Sequence, residues 1–182
     1  MLSPDVATNI LERKQAVAAA APQHPLVVAA AAPQPPDPLL PNLVLDTPNI
    51  TFDNGVPVGG DAHLSLFPDG SYSFTGHFHD SGATSYDTSF VYVVKDVFGV
   101  SAFTFSHTGR THGTFEAGSR DDNWNDYGTN PVLAADWGNI SSGYNWSSRA
   151  GANLNLGGLF DEAVQLVGYA QTVIQVVGNI AG

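Results

Sequence analysis

The chain has 182 residues, 17 acidic against 6 basic side chains, a formal net charge of −11 and only 13% charged residues, well below the usual quarter. That length fits one domain with a sizeable core. An acidic balance with no basic stripe excludes an electrostatic footprint on nucleic acid, and the absence of Cys excludes a disulfide framework, a zinc ribbon and a thiol nucleophile.

Residues 1–45 read as a short helix followed by an Ala/Pro-rich arm or linker. Ser3, Pro4 and Asp5 supply an N-cap, a proline at the first helical position and an acid at the positive dipole end. Val6, Ile10 and Val17 then recur at helical spacing until Pro22. From there to Pro41 the Ala runs and prolines favour extended, polyproline-like chain. Asp5 and Glu12 interrupt the place of an apolar run, and Arg13 and Lys14 follow it instead of leading. No signal peptide is recognised, so a cytoplasmic location is the default expectation.

Residues 46–157 read as an antiparallel β-domain of six to eight strands, a meander closed as a barrel or folded as a sandwich. Leu64 and Leu66 alternate with His63 and Ser65, and Pro68-Asp69-Gly70 supplies turn chemistry. Tyr72, Phe74 and Phe78 then alternate with Ser73, Thr75, His77 and His79. Period-two patterning on both sides of such a turn predicts a hairpin. Phe90 to Val94 is apolar on both faces and predicts a central strand. Phe103 and Phe105 mark another strand. Residues 118–146 are expected to form a polar, aromatic-studded loop holding a short helix over Val132–Trp137 capped from Thr129 or Asn130. One more strand is expected around Ala152, Leu154 and Leu156.

Residues 158–182 read as an apolar C-terminal helix from about Leu159 to Ile180. Leu159, Ala163, Leu166, Ala170, Val173, Val177 and Ile180 follow a four-three spacing. Such a stripe can dock on its own β-domain, pair with a second copy or touch lipid through residues 163–182. Gln165, Gln171, Gln175 and Asn179, with no Lys or Arg at the end, speak against spanning a membrane.

Three constellations can carry chemistry. His77 and His79 stand two apart, so on a strand both imidazoles lie on one face about 7 Å apart, a spacing used by zinc sites. His63 or His107 is a candidate third ligand, His63 only if the hairpin register brings it close. Asp121, Asn123 and Asn125 occupy positions one, three and five of a calcium loop, but Asp126 stands where the turn glycine belongs and Val132 where the bidentate Glu belongs, so only an irregular calcium loop survives. Trp124, Asn125, Tyr127, Trp137 and Trp146 combine rings and amides in the way sugar sites do.

The expected function is a non-catalytic structural or assembly protein. Its N-terminal arm (Val6, Ile10) and C-terminal helix (Leu159, Leu166, Val173, Val177, Ile180) would mediate self-association or docking to a partner protein, with no cofactor. The alternatives are a carbohydrate- or calcium-dependent binding module on residues 121–146, with Asp121 as its metal ligand, and a metal-dependent enzyme using His77 and His79 with His63 or His107.

Overall fold

The structure, a computed structural model, describes residues 26–30 (backbone only), 42–153 and 156–178. Among these residues nine strands form two sheets. β1 (Leu26–Ala30), β5 (Tyr86–Asp96), β6 (Ser101–Thr111), β8 (Tyr144–Ala152) and β9 (Thr172–Val177) form a five-stranded sheet in the order β1-β8-β5-β6-β9. β2 (Leu43–Thr51), β3 (Val58–Leu66), β4 (Ser71–Asp80) and β7 (Asp121–Thr129) form a four-stranded sheet in the order β2-β3-β4-β7. All pairings are antiparallel except β6 with β9. The sheets do not close into a barrel; seven strands, β2 to β8, fall in or overlap the segment expected to hold six to eight, and β1 and β9 add to them from the expected arm and C-terminal helix.

One core lies between the sheets. Leu64, Leu66, Phe74 and Phe78 of the four-stranded sheet meet Phe90, Tyr92, Val94, Phe103 and Phe105 of the other, all without measurable exposure. The hairpin forms where its alternation predicts, because Gly70 takes the left-handed conformation (φ 79°) and Asp69 Oδ1 accepts from the Ser71 N–H at 2.9 Å. β5 is central and buried on both faces. Tyr92 pins the sheets together. Its hydroxyl donates to the Ala62 carbonyl at 2.8 Å and is hydrogen-bonded to the Thr47 hydroxyl at 2.8 Å; burial pushes its phenol far above the ordinary value.

Three expectations are corrected here. First, much of the polar loop at 118–146 is β7 and helix α1 (Pro131–Ser142). Strand formers are scarce in Asp121–Thr129, yet β4 offers a free edge, and Trp124 drops into the core over Gly76, where an added Cβ would lie 2.0 Å from the indole. Tertiary context overrides local propensity. α1 starts where Asn130 Oδ1 accepts from the Val132 and Leu133 N–H groups at 2.9 and 3.1 Å and sends Leu133 and Ile140 into the shared core.

Second, the strand expected around Ala152, Leu154 and Leu156 does not form there: Asn153 takes a left-handed φ of 55°, residues 154–155 lie outside the described residues, Leu156 opens a helix, and the strand of this region is β8, which ends at Ala152. Its small residues Ser147, Ser148, Ala150 and Gly151 leave room for neighbours on both faces.

Third, the long C-terminal helix is two elements. α2 (Leu156–Val167) ends at Gly168, whose φ of 77° suits glycine. Its Leu159, Ala163 and Val167 pack on Val91, Val93 and Ala102 of the chain's own five-stranded sheet, and Ser147 Oγ donates to the Ala163 carbonyl at 2.7 Å. The β-branched run Thr172-Val173-Ile174 then adds as β9 to the edge of β6. Within the expected N-terminal arm, residues 26–30 pair with β8; the helix expected near Val6 and Ile10 lies outside the described residues. Among the described residues no helix is long and apolar enough to cross a membrane.

Candidate metal centre

α2 covers the outer face of the five-stranded sheet, and α1 packs against β5 and β8. The outer face of the four-stranded sheet is left to solvent. Strand register sets what stands there. Asp46, His63, Thr75 and Asn125 form one row across the sheet, Asp61, His77 and Asn123 the next, and Gly59, His79 and Asp121 a third.

The second and third rows converge on one point. His77 Nε2 donates to Asp121 Oδ1 at 3.0 Å, and His79 Nδ1 donates to the same oxygen at 2.7 Å. These three atoms lie within 4.8 Å of one another, and the side chains are 37%, 47% and 46% exposed. The hydrogen bonds from His77 and then His79 hold the Asp121 carboxyl below the ordinary carboxylate range. Two imidazole nitrogens and a carboxylate oxygen are a donor set for zinc and neighbouring transition ions, not for calcium or magnesium. Ligand atoms around a tetrahedral zinc stand about 3.3 Å apart, and the 3.0 and 2.7 Å separations from Asp121 Oδ1 lie within a few tenths of an ångström of that. Neutral imidazoles need only a tautomer change to present lone pairs there.

His63, one of the two candidate third ligands, stands apart. It pairs with Thr75, while His77 pairs with Asp61. Its Nδ1 donates to Asp46 Oδ1 at 2.6 Å and its Nε2 to Asp61 Oδ2 at 3.0 Å. Both nitrogens can donate at once only in the imidazolium form, which the Asp46 hydrogen bond favours by raising the pKa above the ordinary value. The two carboxylates approach opposite edges of the ring, so they do not share a point with it where one ion could sit. His107 is also elsewhere, stacked on Trp124 at 4.4 Å and bonded to Asp122 at 3.1 Å. Thr88 donates to the same carboxylate at 2.6 Å. Burial works to raise the Asp122 pKa, but the bonds from His107 and Thr88 outweigh it and leave the group lowered.

Beside the two imidazoles opens a cleft of about 510 Å³, bounded by the 51–60 segment and Ser81. Sequence reasoning missed this cleft, and also Asp46 and Asp61, because only the hairpin register and the turn after β2 bring them to the histidines. Asp121 was legible as an acid but not as a partner of His79, which is 42 residues away.

The other candidates scatter. Asp121, Asn123 and Asn125 lie along the extended β7 and do not wrap a point, so the calcium loop is rejected. Trp124 is buried at 5% exposure and is unavailable for stacking on a sugar. Trp137 and Trp146 pack partly buried against the core, which leaves Asn125 and Tyr127 on the outer face. Of the predicted interface residues, Leu159 is buried against the chain's own sheet, Leu166 and Val173 are exposed, and Val177 packs on the core. Val6, Ile10 and Ile180 lie outside the described residues. In comparisons of the sequence with known protein families and with curated proteins, nothing matches.

Proposed function

We propose that the protein binds a divalent transition-metal ion on the outer face of its four-stranded sheet, through His77 Nε2, His79 Nδ1 and Asp121 Oδ1. The observation that carries this reading is the convergence of both imidazoles on one carboxylate oxygen. Three protein ligands leave a position open, the count of sites that exchange water or bind a further ligand, whereas structural zinc sites are closed by four. Titrating the full chain with Zn2+ in a calorimeter tests it. One equivalent should bind, and His77→Ala/His79→Ala should abolish the heat. At free zinc a hundredfold above the dissociation constant, the wild type should gain about 2.7 kcal/mol of stability. Equal zinc responses from both proteins would overturn the reading.

A second reading, self-association, is favoured by an apolar patch at one end of the molecule. Phe98 is 63% and Tyr169 81% exposed, with Val97, Val100, Leu166 and Val173 also exposed. Backbone bonds from Gln171 to Gly99 and from Thr172 to Val100 bring its two segments together. Light scattering after size exclusion of wild type and Phe98→Asp/Tyr169→Asp tests it; a monomeric wild type sinks it.

A further inference from the structure

We infer that the open position of a metal at His77, His79 and Asp121 takes the carboxylate of a small organic acid whose apolar body lies in the adjoining cleft. The inference rests on the metal reading above and adds the class of ligand. The cleft of about 510 Å³ reaches both metal-binding imidazoles, and its size is that of small-molecule sites. Val56 and Pro57 supply apolar wall, backed by buried Phe52 and Val58. Gly59 stands opposite His79 in the ladder and puts no side chain beside that ring. Ser81 Oγ is already committed to the Pro57 carbonyl at 3.0 Å.

Charge then selects the ligand. Apart from the imidazoles, the cleft is lined by no acidic or basic side chain, and the Asp121 carboxylate beside them is taken up by the metal, so an ammonium finds no free counter-charge in the lining and a carboxylate finds the metal. A divalent ion held by two neutral imidazoles and one carboxylate retains one positive charge, which an anionic donor balances. The chain's net charge of −11 opposes anions only over distances that salt screens beyond about 8 Å. Inside the site the metal dominates.

The test uses the full-length protein loaded with Co2+, whose visible bands report coordination, titrated with acetate and with benzoate. Both acids should shift the bands, and benzoate should half-saturate at a concentration about tenfold or more below acetate, because its ring is buried. Thr51→Trp, at an exposed cleft position, should fill the cleft and cut that advantage to under about twofold while the acetate response persists. If the bands form and depend on His77 and His79 but benzoate is no better than acetate, the inference falls and the metal reading stands. If no histidine-dependent bands form, both fall.

Discussion

Substituting Gly76 by Ala sets two physical effects against each other with opposite signs. Gly76 lies mid-strand in β4 and is not among the glycines at positive φ, so Ala fits its backbone, and the reduced freedom of the unfolded chain should stabilise by about 0.4–1 kcal/mol. The new Cβ, however, would stand 2.0 Å from Trp124 Cζ2, 2.4 Å from Cη2 and 2.5 Å from Cε2. To regain ordinary contact at 3.4 Å the indole must retreat by about 1.4 Å. It has nowhere to go. His107 stacks on it at 4.4 Å, and Phe78, Phe74 and Phe90 surround it at 5.4, 5.7 and 6.0 Å. Overpacking a closed core costs about 1–3 kcal/mol, and a ring so enclosed belongs at the upper end, for a net loss of about 2 kcal/mol. With a urea slope of about 2 kcal/mol per molar, the midpoint should fall by about 1 M, followed by tryptophan fluorescence and circular dichroism. In a Trp124→Leu background the same substitution should become neutral or stabilising, so the coupling between the sites measures the clash. A midpoint for Gly76→Ala equal to or above that of the wild type would refute the packing argument.

Three further outcomes are expected. The Asp46 hydrogen bond is the leading cause of the raised His63 pKa, so Asp46→Asn should bring its NMR titration midpoint down toward about 6.5. Because the folded value is raised, the stabilisation from this ring is complete below about pH 6.5 and disappears as pH rises through the folded value; a midpoint unmoved by Asp46→Asn contradicts the assignment. Tyr92→Phe removes the donor to the buried Ala62 carbonyl and should cost about 1–2 kcal/mol in urea unfolding, whereas no loss would mean that the hydroxyl does not join the sheets. Leu159→Ala empties the contact of α2 with Val91 and Val93 and should cost about 2–4 kcal/mol; a loss under about 0.5 kcal/mol would show that α2 does not dock on its own sheet.

Elements whose pattern is local are legible in the chain alone. The alternation around Pro68-Asp69-Gly70 sets the hairpin, because a period of two with one face buried admits a single register. The double-sided apolar run at Phe90–Val94 marks the central strand. The spacing of His77 and His79 puts both rings on one face whatever surrounds them. The remaining features depend on partners distant in the chain. Asp121–Thr129 is a strand because β4 has a free edge and Trp124 a cavity above Gly76. The C-terminal stripe breaks at Gly168 because the edge of β6 accepts its second half. Asp121 meets the two histidines, and His63 does not, because the β4–β7 and β3–β4 registers place them so. Local pattern selects which face a side chain takes, but convergence of ligands on one point is a property of strand pairing, and pairing is settled by the free energy of the whole core.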